Sequence, residues 1–112
     1  MNLRRMMTAA AMALMGWAGA AQAGPTLDAI RARGTLACGI HTGIAGFALP
    51  DSRGTWQGMD VELCRGLAAA IFNDPARVRF VPLSSSTRFT ALGSGEVDVL
   101  FRTSTQTMLR DT

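Results

Sequence analysis

Arg102, Thr103, Ser104, Thr105, Thr107 and Arg110 crowd one short stretch near the end of the 112-residue sequence. They offer hydroxyls, backbone groups and two guanidinium forks. Such a fork matches the two oxygens of a carboxylate with parallel N–H bonds, so carboxylate recognition is the chemistry this stretch could do. The other reading of the same residues is arginines lying on the surface of a helix. His41 is the sole histidine and the one residue suited to act as a base, but no G-x-S-x-G surrounds any serine. Ser84–Ser86 reads as a loop and cap. Asp60 and Glu62 stand two apart and do not share a helix face. Asp60 reads as a helix N-cap and Glu62 as a solvated charge. Gly39, Gly43 and Gly46 are spaced G-x-x-x-G-x-x-G, and no helix opens at Gly46 to meet a phosphate, which excludes a dinucleotide loop. Without any lysine there is no P-loop. Cys38, His41 and Cys64 are too few and wrongly spaced for a metal, so neither metal nor cofactor is expected.

The elements that position these residues alternate. Thr26–Gly34 reads as a short helix with Thr26 as N-cap and Gly34 as its stop. Residues 35–40 form a compact apolar run, read as a buried strand. Residues 41–50 are loop, Asp51–Gly54 a turn, and 55–57 a short extended piece. After Asp60, Val61, Cys64, Leu67, Ala68 and Ile71 recur at three- and four-residue spacing, one buried helix face, and Asn73-Asp74-Pro75 stops it. Residues 78–83 read as a second strand. Residues 87–92 read as a short helix burying Phe89 and Leu92, and 97–101 as a third strand. Thr107 reads as the N-cap of a further helix. This order implies parallel strands joined by right-handed crossovers. Ligands of such sheets sit at the carboxyl ends of the strands, which selects loops 41–50 and 102–110.

The charge needs locating before it is interpreted. Met1–Arg5 is basic, Met6–Ala20 is uncharged and apolar or small, and Ala21-Gln22-Ala23 is a small-x-small cleavage pattern. That order is a secretory signal peptide, with cleavage after Ala23. The apolar run is shorter than the roughly 20 residues a membrane span needs. Removal leaves 89 residues with nine arginines and eight acids, and the net charge falls from +3 to +1. The basic balance therefore carries no argument for nucleic acid. In an oxidising compartment Cys38 and Cys64 either pair or lie as two buried thiols.

The residues also run in a familiar order. Thr26–Gly39 is followed by Gly46-Phe47-Ala48-Leu49-Pro50-Asp51, by Trp56-Gln57-Gly58-Met59-Asp60-Val61, and by Cys64-Arg65. Then come Phe80-Val81-Pro82-Leu83, Arg88-Phe89-Thr90-Ala91-Leu92, Gly95-Glu96-Val97-Asp98-Val99-Leu100 and Arg110-Asp111-Thr112. Over 24–112 this resembles the general L-amino-acid-binding periplasmic proteins of polar amino-acid ABC transporters, within solute-binding protein family 3. The resemblance implies an α/β fold: a three-layer parallel sheet with flanking helices, the partial first lobe of a type II periplasmic binding protein. Residues 24–112 would be the N-terminal part of lobe 1, with the second lobe absent and closure on ligand not possible for the fragment alone. Val97–Phe101 would then be an open apolar edge.

The implied function is binding of a free L-amino acid in the periplasm and its delivery to ABC permease subunits in the inner membrane, without catalysis. Carried over residue by residue, Arg110 matches the grip on the α-carboxylate and Thr105 a hydroxyl contact to it. Thr103 matches a backbone carbonyl facing the α-ammonium. His41 matches an amino-group or side-chain contact, Ile44 an aromatic-wall position, and Phe47 a cleft or core aromatic. Cys38 and Cys64 match the paired cysteines of this subfamily. Its usual Arg-Asn-Thr-Thr-Trp-Thr is here Arg102-Thr103-Ser104-Thr105-Gln106-Thr107, without the Asn and Trp. The alternative on the same fold is a cyclohexadienyl dehydratase-like lyase, for which His41 would be the acid/base.

Overall fold

The computed structural model describes residues 24–105. Residues 1–23, read from the sequence as an export signal, together with Thr107 and Arg110 lie outside the described residues. Helix α1 spans Pro25–Arg33. Pro25 occupies its first position, where the missing N–H is no loss, and Gly24 is the N-cap without a side-chain bond. Thr26 is therefore a first-turn residue and not the cap expected from its type. Gly34 ends the helix in the left-handed region, its N–H reaching the carbonyl of Ile30 at 3.0 Å.

Strand β1, Leu36–His41, is the centre of the fold. After it come β2 (Leu49–Pro50), β3 (Trp56–Gln57), helix α2 (Met59–Phe72), β4 (Val78–Leu83), helix α3 (Arg88–Ser94) and β5 (Val99–Leu100). The main sheet has the order β4-β1-β5, all parallel. Register runs from Leu36↔Val78 to His41↔Leu83 on one side, with Cys38↔Val99 and Gly39↔Leu100 on the other. Asp98 N–H to Ala37 O (2.8 Å) and Phe101 N–H to Gly39 O (2.9 Å) extend the β5 pairing by one residue each way, close to the expected 97–101. β2 and β3 form a small antiparallel hairpin.

The chain steps from β1 to β4 in one direction and from β4 to β5 in the other. With right-handed crossovers, that reversal puts α2 and α3 on opposite faces. The packing agrees. Leu36, Cys38 and Ile40 point to one face and join Val61, Cys64 and Ala68 of α2, with Ile30 of α1. On the other face Leu83 and Val97 pack with Ala91 of α3. The result is a three-layer α/β arrangement. Because β1 is covered on both faces, its residues 36–40 are all buried, as a central parallel strand requires.

The central strand is also covalently tied to its helix. Cys38 and Cys64 form a disulfide with Cα atoms 6.1 Å apart, so the pairing implied by the resemblance is present. Asp98 fastens the amino-terminal end of β1 beside it. Its carboxylate accepts the Ala37 N–H at 2.8 Å and pairs with Arg33. Closing a loop of 26 residues restricts the unfolded chain by about 3 kcal/mol. Reduction, or a Cys38→Ala/Cys64→Ala double substitution in the full-length gene product, is expected to lower unfolding stability by that order. Urea melts with and without reductant check it, and coincident melts would refute it.

Candidate functional site

In a sheet whose chain reverses direction, a crevice opens at the carboxyl ends of the strands where the connections part to opposite faces. Here that point lies between β1 and β4, at the register pair His41↔Leu83. The N-termini of α2 and α3 flank it, and the segment after β5 runs beside it. The residues gathered there are His41, Asp60, Arg88 and Arg102, with Thr103.

The α2 side is built by an unusual cap. The N–H of Met59 donates to Gly46 O at 2.9 Å, and that of Asp60 donates to Phe47 O at 3.0 Å. Two carbonyls of the 44–48 loop thus satisfy donors that a capping side chain would otherwise take. Gly58, the N-cap residue, has φ 126° and makes no side-chain bond. A Cβ there would stand 2.3 Å from Phe47 O, so the loop seats on the helix only over glycine. The same loop is held by reciprocal bonds between Ile44 and Ala48 at 2.8 and 3.0 Å. Asp60 is consequently not the N-cap. It lies in the first turn at 5% exposure, its backbone donor already engaged. Its Oδ2 is buried with no hydrogen-bond partner among the described residues. Burial raises its pKa above the usual carboxyl value, opposed by the charges of His41 and Arg102. Glu62 is exposed and pairs with Arg65, as a solvated charge should.

On the other flank Arg88 opens α3 and is 6% exposed. Its Nη1 donates to Thr103 O at 3.0 Å. Arg102 reaches back across the crevice, Nη1 donating to Leu83 O and Nη2 to Ser85 Oγ at 3.3 Å. The Nε of each arginine is buried with no partner among the described residues. Burial lowers the Arg102 pKa, with the neighbouring Arg88 charge adding to it and Asp60 opposing.

The sequence-derived residues divide accordingly. His41 ends β1 at the crevice, half-buried, and its Nδ1 accepts the Gly43 N–H at 3.1 Å. That bond leaves Nε2 to carry the proton. Thr103 and Thr105 follow β5 on the exposed side. Ile44 and Phe47 are half-buried in the loop that caps α2. Arg110 lies outside the described residues. Two members were missed as site residues: Asp60, read as a cap, and Arg88. The α3 face was also read wrongly, since Phe89 and Leu92 are 46% and 40% exposed while Arg88 and Ala91 are buried. A seven-residue helix has under two turns to show a period, and the arginine on its inner face broke what signal there was. Phe89 instead lies beneath the Arg88 guanidinium, 4.9 Å from it.

An open depression of about 300 Å³ lies elsewhere, on the loop and hairpin around Gly46, Leu49 and Asp51. The Asp51 oxygens are already engaged by the N–H groups of Arg53 and Thr55 and by Gln57. It therefore presents no free carboxylate, and the crevice is the better candidate. Among the described residues no three potential metal ligands come together, and no helix is long and apolar enough to cross a membrane.

Fold and crevice together define the first lobe of a type II periplasmic binding protein, in part. Residues 36–112 match the model of the bacterial extracellular solute-binding proteins, family 3, and the chain belongs to that family. Among its relatives is the glutamate/glutamine/aspartate/asparagine-binding protein BztA of Rhodobacter capsulatus. It is 58% identical over 95 residues, 85% of this chain and 28% of that one. The general L-amino acid-binding periplasmic protein AapJ of Rhizobium johnstonii is 45% identical over 100 residues, 89% of this chain and 29% of that one. The solved periplasmic binding protein from Brucella ovis with glutathione bound superposes with a TM-score of 0.76 at 53% identity, covering 80% of this chain and 28% of that one. The chain thus spans less than a third of the length of these relatives.

Two outcomes follow from the α2 cap. Gly58→Ala in the full-length gene product is expected to cost about 3 kcal/mol, because the backbone region is nearly closed to side chains and the clashing atom is backbone. Gly39→Ala would meet the side-chain ends of Leu83 and Leu100 at 2.8 and 2.9 Å and Val97 Cγ2 at 3.4 Å, with no backbone atom among these nearest neighbours, and is expected to cost about 1 kcal/mol. Urea denaturation of both variants checks the order, and a reversed order would refute it. The raised Asp60 pKa means the folded protein holds that proton more tightly than the unfolded one. Its contribution is therefore favourable at low pH and is lost as pH rises from about 4 through the raised native value. Asp60→Asn is expected to gain stability relative to the parent as pH goes from 4 to 8. A difference that does not change with pH would contradict this.

Proposed function

We propose that this chain supplies the ligand-holding edge of the first lobe of a periplasmic amino-acid-binding protein that serves an ABC transporter. The observation that carries the reading is the match of residues 36–112 to a family of extracellular solute-binding proteins. The relatives named for amino acids support a free L-amino acid as ligand. The crevice adds chemical support, since the groups it leaves without partners include guanidinium N–H donors.

In this reading Arg110 grips the α-carboxylate and the Thr105 hydroxyl assists. The Thr103 carbonyl accepts from the α-ammonium with the lone pair that Arg88 does not use. His41 offers its Nε2–H, while Ile44 and Phe47 wall the site. The chain is exported with cleavage after Ala23, and the partners are permease subunits in the inner membrane. No bond is made or broken. The binding-protein names of the relatives favour a carrier. His41, the acid/base a lyase would need, already has one ring nitrogen engaged by backbone.

Calorimetric titration of the full-length gene product with free L-amino acids tests the reading. Arg110→Ala is expected to cost about 2–5 kcal/mol of binding, a loss of about 30-fold or more in Kd. Unchanged affinity in that variant would remove Arg110 from the site. The absence of binding by the parent to any amino acid would overturn the function.

A further inference from the structure

His41 Nδ1 accepts the N–H of Gly43 at 3.1 Å. An accepting ring nitrogen carries no proton, so the bond requires the neutral imidazole. The contact runs from a side chain to the backbone two residues on, the pattern by which Asn and Asp hold turns. Its place in the chain extends its effect. His41 is the last residue of β1, and Gly43 is the last residue before the loop that walls the crevice. Ile44 opens that loop and is bonded to Ala48, and between them Gly46 O and Phe47 O meet the first N–H groups of α2. Thr42 and Gly43 are both exposed, so burial does not hold the link between strand and loop. The ring bond ties it to the rigid end of the central strand.

Protonation undoes that tie. A charged imidazole donates from both nitrogens, so Nδ1 and the Gly43 N–H become two donors facing each other. We propose that His41 is a positioning residue for the 43–48 loop: its neutral Nδ1 keeps Ile44 and Phe47 in place, and protonation of the ring loosens the loop and weakens ligand binding. His41 is the sole histidine of the chain, and histidine is the side chain suited to change charge between about pH 5 and 8. From Thr42 to Pro50 the loop carries no charge of its own. The charged groups of the elements packed around the crevice are Asp60 at the start of α2, Arg88 at the start of α3 and Arg102 after β5. The two arginines stay charged throughout. Asp60 is the other group able to titrate, because burial raises its carboxyl, and it needs its own control. The inference rests on the amino-acid-binding reading and adds a regulation of the same site.

The test is calorimetric titration of the full-length gene product with L-glutamine, L-asparagine, L-glutamate, L-aspartate and L-leucine at about pH 5.5 and about pH 8. Salt is held constant, and circular dichroism confirms the folded state at both values. The expected result is a Kd about three- to tenfold higher at the lower pH, the equivalent of one net hydrogen bond. This series on the unmodified protein needs no variant to fold. His41→Asn keeps an acceptor for the Gly43 N–H and has no proton to gain. Its Kd is expected to change by less than about twofold between the two pH values. His41→Ala has no acceptor and is expected to bind more weakly than His41→Asn at the higher pH. Equal or tighter binding by the parent at the lower pH overturns the proposal and leaves amino-acid binding intact. A pH dependence that survives in His41→Asn belongs to Asp60 and overturns the assignment to His41. Equal affinity of the Ala and Asn variants overturns the positioning role. Binding of no amino acid at either pH overturns both readings.

Discussion

The carbonyl oxygen of Phe47 occupies the place a side chain on residue 58 would need, 2.3 Å from it. Much of the site depends on that contact. With glycine at 58, the 44–48 loop can descend onto α2 until two of its carbonyls reach the first N–H groups of the helix. The loop is thereby fixed at the mouth of β1, and His41, Ile44 and Phe47 with it. The helix no longer needs a capping side chain, which releases Asp60 to turn into the crevice. A bulkier residue at 58 would lift the loop, leave the helix donors open and expose Asp60 together.

The sheet gives this contact a rigid base. β1 is paired on both sides, covered on both faces and bonded through Cys38 to α2. Any shift of α2 along the strand would have to break the disulfide or the packing of Val61 and Ala68. The reversal of chain direction around β1 then opens the crevice between the β1 and β4 ends. Arg102 closes the far side by reaching from the segment after β5 to the last carbonyl of β4. The crevice is thus bounded by three elements, two helix starts and one arginine strut.

Most of the scaffold was legible in the sequence because its signals are local. Residues 78–83 read as a strand and are one. Gly34 and Asn73 mark helix ends, and each adopts a left-handed conformation there; for the third helix the sequence left Gly93 and Gly95 open, and Gly95 is the left-handed cap. The parallel order followed from the alternation of elements. The site was less legible, for physical reasons that differ by residue. Asp60 has the type and position of a cap, yet the cap comes from carbonyls more than ten residues earlier. Thr26 likewise has a cap's side chain, but Pro25 set the start of the helix one residue before it. Arg88 stands where a buried face needs an apolar residue, and nothing in seven residues announces that a distant carbonyl at Thr103 will receive it. Such long-range compensation carries no local signal. The roles expected of Thr103, Thr105 and Arg110 came from resemblance, because composition alone favoured arginines lying on a helix surface.

Charge in the crevice links the folding problem to binding. Burial is costly for Asp60, Arg88 and Arg102 alike, and the three leave buried polar atoms without partners among the described residues. A scaffold under selection for stability alone would remove such groups, since apolar replacements of buried charges are often neutral or stabilising. Their retention beside a topological switch point is the kind of local inconsistency expected where function overrides folding. Opposite charges on Asp60 and Arg102 lower each other's cost, and among the described residues neither Arg88 nor Arg102 is in an ion pair. Any ligand that binds the folded lobe and not the unfolded chain would offset part of that cost by mass action.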